Sequence, residues 1–373
     1  MKKFLFFALL SCFAALFAGD EVYTLEYSGN RNTLFCNGKV VTFADCVEKQ
    51  LARYPEYTAF DIARFALDGA FGGGSHKFDK ILEEKNIRQD FAAAKEEKRP
   101  LFEIISPDYC RINLSAWKFH KLPVEWLFSI YCSSSEVFAD SSAIYSDYLR
   151  IVAPMIADRL KKAPVEPVEE NRPTSYRVVS TRFLQVIPVL QKLVTFPENS
   201  VVVIALDGRA ASGKTTLARQ LASITGAGVI HMDDFFLPLE MRNSKRLSQP
   251  GGNVHYERFK VEVLHKLKSA NAFSYQRFEC SKMKLGAMRS VAASRWRVVE
   301  GAYSFHPGLG NYADLKIFYD IDPVEQLKRI GKRNGVEAAK TFANRWIPFE
   351  EKYIKSFKVK EQADIVLGGR SVR

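Results

Sequence analysis

The sequence predicts an α/β fold for the C-terminal half of the chain, a parallel sheet with helices on both faces, preceded by a mainly helical domain. Three observations carry this. Short apolar runs recur between 201 and 369 with helical stretches between them, the pattern of strands buried on both faces of a parallel sheet. The first of these runs opens directly into a glycine loop followed by a helix. From about Ala44 to Leu160, apolar residues recur instead at i, i+3 and i+4, the helical period.

Val201–Leu206 is the first strand. Gly208-Arg-Ala-Ala-Ser-Gly-Lys-Thr215 follows and fits G-x-x-x-x-G-K-[ST] at every fixed position. Leu217, Leu221 and Ile224 then mark the helix. Strand, loop and helix in this order define a P-loop NTPase domain. Glycines at 208 and 213 let backbone N–H groups turn inward onto phosphate, and the helix N-terminus adds partial positive charge. The nucleotide-binding candidates are Gly208, Ala210, Ala211, Ser212, Gly213, Lys214, Thr215 and Thr216. Lys214 would reach the β/γ-phosphates and Thr215 would offer its hydroxyl to Mg²⁺.

Four further strands complete a five-stranded parallel sheet. "GVIHMDDFF" (Gly228–Phe236) ends in two carboxylates. Acids at the C-terminal end of a parallel strand face the crevice where α/β sheets bind ligand, and one of them can take a proton from an attacking hydroxyl. "RVVEGAYS" (Arg297–Ser304) ends in Glu300, placed to hold Mg²⁺ through water. "LKIFYDID" (Leu315–Asp322) and "ADIVLGG" (Ala363–Gly369) are the last two. Between them Arg329 and Arg333 lie one helical turn apart on one face. Two guanidinium groups so spaced can clamp a phosphoryl group in transfer; the alternative is a pair of solvated helix charges.

Residues 176–373 resemble the uridine kinase/phosphoribulokinase branch of the P-loop kinases, through "GRAASGKTT", "HMDDFF", "VVEGAYSFHP", "LKRIGKRNG" and "RWIPFEEKYIKSF". The resemblance implies ATP and Mg²⁺ as cofactors and phosphoryl transfer to the hydroxyl of a small molecule, a nucleoside among the candidates. It makes Asp233 the general base, with Asp234 at the variable position beside it. It makes Glu300 the Mg²⁺-associated glutamate and Arg329 and Arg333 the lid arginines. The chain departs from the branch where nucleoside is read. "GGNVHYERF" (Gly251–Phe259) keeps Asn253 without the usual spacing, and "FSYQRFECS" (Phe273–Ser281) differs from the usual aromatic pocket segment. A nucleotide-binding regulatory or structural module without turnover is the competing reading.

The 373 residues carry a net charge of +12 with 47% apolar content. This excludes general disorder and suits anionic ligands. Lys and Arg are dispersed rather than interleaved with aromatics, so no nucleic-acid partner is expected. The six histidines show no ligand spacing, so no zinc is expected.

Residues 1–18, Lys2-Lys3 followed by an apolar run to Ala18, read as a signal peptide or anchor. A kinase would instead need cytoplasmic ATP, so the location stays open. Residues 21–161 form the mainly helical domain, starting with a hairpin at Asn37-Gly38. Its "GAFGGGSHK" (Gly69–Lys77) lacks the Lys-Thr of a phosphate loop and reads as a helix connection. Trp117 and Trp126 read as core. Cys36, Cys46, Cys110 and Cys132 allow three disulfide pairings or a set of buried thiols. Residues 162–175, rich in proline and glutamate, read as a linker. Arg182–Phe196 would be a helix packed on the parallel sheet, with Pro188 a point for a kink.

Overall fold

A computed structural model describes residues 16–18, 21–28, 31–74, 78–135, 141–162 and 175–368. The signal-like segment falls outside these except for its last three residues, and most of the linker falls outside as well. The chain forms two compact units. One runs from Leu16 to Pro197, and the other takes Glu198–Ala222 and Gly226–Gly369.

The first unit opens with an antiparallel sheet of β1 (Leu16–Ala18), β2 (Glu21–Ser28), β3 (Arg31–Cys36) and β4 (Lys39–Val40), in that order. Asn37 and Gly38 both take positive φ, 51° and 79°, the geometry a tight hairpin between right-twisted strands requires. Helices α1 (Phe43–Arg53) and α2 (Ala59–Phe71) each start with a capping box, Thr42 with Asp45 and Thr58 with Asp61, which satisfies donors the helix cannot. After α3 (Lys80–Ala93) come β5 (Phe102–Ile104), β6 (Tyr109–Asn113), α4 (Leu114–Phe119), α5 (Val124–Ser134), α6 (Ser141–Lys162), β7 (Tyr176–Ser180) and α7 (Ile187–Leu193). β5, β6 and β7 form a second antiparallel sheet.

Helices make up most of this unit's described elements by length, and beside them stand seven short strands in two sheets, of which the sequence signals only the first hairpin. β6 is buried at four of its five positions, so no polar alternation betrays it as a strand. The boundary also shifts. Residues 176–197 belong to this unit, because Tyr176–Ser180 pairs along Tyr109–Asn113. Tyr176 lies over the Arg111 guanidinium at 4.2 Å and donates to Asp68 at 3.2 Å. The predicted helix over 182–196 is a 3₁₀ stretch, Thr181–Val186, then α7. Pro188 sits in the first turn of α7, where a missing N–H costs nothing and no kink is needed.

The core gathers Phe43, Ile62, Phe65, Ile105, Tyr109, Val152 and Val178. Trp117 and Trp126 are buried. Cys110 and Cys132 are free thiols, so the two-bridge framework that the cysteine count allowed is not formed. Burial pushes the Cys110 thiol well up. Among the described residues no helix is long and apolar enough to cross a membrane.

The second unit is built on a parallel sheet. Its strands are β8 (Val202–Gly208), β9 (Gly228–His231), β12 (Trp296–Glu300), β13 (Leu315–Asp320) and β14 (Ile365–Gly368), in the spatial order β14-β13-β8-β12-β9. All five predicted strands are present. β8 is buried at every position. The connections run to one side of β8 first and to the other side afterwards, which opens a crevice at the strands' C-terminal ends. Helix α8 (Lys214–Thr225) leaves the glycine loop, and α9 (Ser244–Leu247) and α10 (Tyr256–Glu262) follow β9. An antiparallel ribbon of β10 (Phe273–Glu279) and β11 (Lys284–Val291) comes next. Beyond β13 run α11 (Pro323–Asn334), α12 (Val336–Thr341), a π-turn at Phe342–Trp346 and α13 (Ile347–Phe357).

Candidate active site

The glycine loop links β8 to α8 at the centre of the sheet. Gly208 has φ +139°, and a Cβ there would lie 2.1 Å from the Tyr319 carbonyl oxygen. Backbone cannot give way, so only glycine fits. Gly213 has φ +117° and turns the chain into α8. Lys214 is buried, and its Nζ donates to the Gly208 and Arg209 carbonyls at 2.7 and 2.8 Å.

The loop is held from outside by acids the sequence reading passed over. Arg209 pairs with Asp320 and, at 2.6 Å, with Glu351. The Ala210 N–H donates to Glu350 at 2.9 Å, and the Ala210 carbonyl accepts from Gln326 at 3.2 Å. Asp207, fully buried at the end of β8, accepts from the Tyr303 and Phe305 N–H groups at 3.2 and 2.9 Å and from the Tyr353 hydroxyl at 2.8 Å. It thereby ties the segment after β12 to the strand that carries the loop. Burial pushes its carboxyl up.

The register of β12 puts Glu300 beside both Leu206 and His231. Its carboxylate meets the Thr215 hydroxyl at 3.3 Å and His231 Nδ1 at 2.5 Å. A hydroxyl and a carboxylate side by side at a phosphate loop are the sparse oxygen donor set that Mg²⁺ uses when phosphates and waters supply the rest. Thr215 and Glu300 therefore fit that ion.

β9 ends at His231, and the two acids follow on a 3₁₀ turn, Met232–Phe235. Their environments differ. Asp234 is buried, with the Tyr275 hydroxyl at 2.9 Å and Arg289 at 3.1 Å. Asp233 lines the cavity. Its surroundings push its carboxyl up, first by desolvation and next by the Glu300 charge, with Lys214 opposing. A carboxylate that is open to the cavity and has a raised proton affinity suits a general base.

Lys214, Asp233, Glu300, Arg329, Arg333 and loop residues Ala210 to Thr216 all border one cavity of about 610 Å³. Gly208 does not border it and acts through the turn. Arg329 pairs with Glu325 at 2.8 Å and Arg333 with Asn334 at 2.7 Å. Glu350 lines the same cavity, and burial raises its carboxyl to about 7. Arg242, Asn253 and Tyr303 complete the polar lining, with Phe236, Met283, Phe342 and Trp346 among the apolar walls. Of the residues passed over, Glu350 and Glu351 stood in plain sight within "RWIPFEEKYIKSF", but nothing local assigns them to a loop 140 residues away.

No protein-family model matches the chain, and no curated protein does. Solved structures similar to the C-terminal half include a possible uridine kinase from Bacillus stearothermophilus. It is 19% identical, with a TM-score of 0.38, over 49% of this chain and 97% of that one. Another is a protein from Silicibacter sp. TM1040, provisionally described as a fructose transport system kinase. It is 19% identical, with a TM-score of 0.40, over 49% of this chain and 98% of that one. Both likenesses are distant, and the argument for function rests on the site itself.

Proposed function

We propose that the chain is an ATP-dependent kinase that phosphorylates a hydroxyl of a small molecule, with a site of the uridine kinase type. The observation that carries this is the contrast between the two adjacent acids. Asp234 is tied to Tyr275 and Arg289, while Asp233 stands in the cavity that Lys214 and the glycine loop also line.

In this reading the loop N–H groups and Lys214 hold the triphosphate. Thr215 and Glu300 would hold Mg²⁺, which would supply charge neutralisation for the phosphates. Asp233 orients the acceptor hydroxyl and takes its proton as the acceptor oxygen bonds to the γ-phosphorus. The bond from that phosphorus to the β,γ-bridging oxygen breaks, and ADP leaves. Arg329 and Arg333 meet the charge on the phosphoryl group in transfer.

The test is ADP release by the full chain with Mg·ATP and a panel of hydroxyl acceptors, beside Asp233→Asn. Acceptor-dependent ADP release that the variant loses is the expected result. Nucleotide binding with no acceptor-dependent turnover under any condition would instead favour a regulatory nucleotide-binding module.

A further inference from the structure

We propose that the acceptor is an organic anion, its hydroxyl at Asp233 and its carboxylate or phosphate on Arg242. This rests on the kinase reading and specifies what that site receives. Past Asp233 the chain makes a second short turn, Leu239–Met241, which delivers Arg242 to the cavity wall. Arg242 Nε donates to the Leu237 carbonyl at 2.8 Å, which fixes the guanidinium.

Arg242 lacks a counter-charge, as Arg333 does on the α11 side of the same cavity. Arg209, Arg246, Arg289 and Arg329 each pair with a carboxylate. Among the described residues no carboxylate pairs with Arg242. Its surroundings are poor for a cation: burial pulls its proton affinity down first, the Cys280 thiol opposes this, and Arg345 adds to the fall. A guanidinium held part-buried without an anion is costly unless a ligand supplies the anion.

The nucleotide does not answer this need. Its phosphates lie at the loop, where Lys214 on α8 and Arg329 and Arg333 on α11 already line the cavity. Arg242 comes instead from the segment that carries Asp233, the acceptor's side of the site.

Asn253 gives a second, independent indication. It is more than nine-tenths buried and lines the same cavity; its amide N–H faces the Tyr303 hydroxyl, and its Oδ1 has no hydrogen-bond donor in the protein. A buried acceptor atom of this kind expects a donor, and a second hydroxyl of a polyol or hydroxy acid supplies one. Phe236 and Met283 offer apolar surface for the carbon skeleton. An uncharged nucleoside would satisfy Asn253 but leave the half-buried Arg242 without an anion. The transfer itself is the one written above: the acceptor O–P bond forms, the β,γ-bridging O–P bond breaks, and Asp233 receives the proton.

The experiment keeps the nucleotide site filled. The full chain, saturated with Mg²⁺ and a non-hydrolysable ATP analogue, is titrated calorimetrically with inorganic phosphate, D-glycerate, ribose 5-phosphate and uridine, as wild type and as Arg242→Gln. At least one of the anions should bind. Arg242→Gln should weaken that binding by about 10- to 100-fold, the usual worth of a charge-assisted hydrogen bond, while the analogue's Kd changes less than about twofold. D-glycerate against ribose 5-phosphate separates carboxylate from phosphate as the anionic end. The proposal is overturned if no anion binds beside the analogue, if Arg242→Gln leaves anion binding unchanged, or if uridine binds and the anions do not. Failure of the analogue itself to bind would remove the kinase reading, a result read in the first titration and distinct from the other three.

Discussion

The Glu350 carboxylate accepts the Ala210 N–H at 2.9 Å, on the phosphate loop itself. An acid therefore sits where the proposed nucleotide would bring its negative charge. Desolvation raises its carboxyl to about 7, with Lys214 and the Ala210 N–H opposing and Asp207 and Asp233 reinforcing the rise. These groups come from β8, the loop, α8 and the turn after β9, the elements that face it.

The sign of the pH effect follows. A carboxyl raised in the fold binds more protons folded than unfolded between about 4.5 and about 7, so stability falls as pH rises through that window. The full swing is on the order of 3 kcal/mol. Glu350→Gln keeps an acceptor for the Ala210 N–H and removes the charge. It should melt higher than wild type at pH 8 and match it near pH 5. It should also bind ADP more tightly than wild type at pH 8, with the difference closing as pH falls below 7. Parallel melting and binding curves at four or five pH values check both; superimposable curves for the two proteins would exclude a charged Glu350.

Lys214→Ala should abolish measurable binding of Mg·ATP. The side chain is buried and reaches the loop carbonyls, so its loss removes the loop's cation without replacing it. Calorimetry on the full chain decides it, with a melting curve to show that the variant is folded. Equal binding by both proteins would remove the loop from the mechanism.

Asp233→Asn and Asp234→Asn should fail in different ways. The first should leave ATP affinity within a few-fold and cut turnover by on the order of 10²–10⁴, the usual worth of a general base. The second should lower the melting temperature, because Arg289 loses its carboxylate and Tyr275 half of its acceptor. Since the surroundings of Asp233 raise its carboxyl, turnover should fall on the acid side at a pH above the ordinary carboxylate range. Reversed phenotypes would make Asp234 the base.

Arg329→Lys and Arg333→Lys should each lower kcat while changing the ATP Kd little. Both side chains border the cavity from one face of α11, and lysine lacks the planar fork that grips two oxygens. Steady-state kinetics paired with direct binding separates the cases. A loss confined to Kd would assign them to nucleotide docking, and no change in either would make them solvated helix charges.

Much of the C-terminal unit was legible because its signals are local. The apolar run before Gly208, the glycine spacing and the acids at the strand ends all lie within a few residues of what they determine. The rest depended on distant partners. Nothing near Asp233 or Asp234 says which is tied down; Tyr275 and Arg289 decide that from the ribbon. Tyr303 takes a left-handed φ of 74° just past β12, a conformation no sequence pattern requires of tyrosine and one that Asp207 holds in place. β7 was missed because the proline-rich stretch before it looks like a boundary, while its partner strand lies more than sixty residues earlier.

That strand pairing has a practical meaning for anyone cutting the chain. A protease nick between Lys162 and Ser175 breaks one peptide bond but leaves Tyr176–Ser180 clasped along Tyr109–Asn113, with Arg177 still bonded to Asp90 at 2.7 Å. The two fragments should travel together in a native column and part only in denaturant, as the halves of a split protein do. An expression truncation at residue 176 would carry an orphaned strand stripped of its sheet, an exposed edge ready to pair with whatever chain it meets. The place to divide this protein is Pro197–Glu198, where the first unit's long continuous run ends.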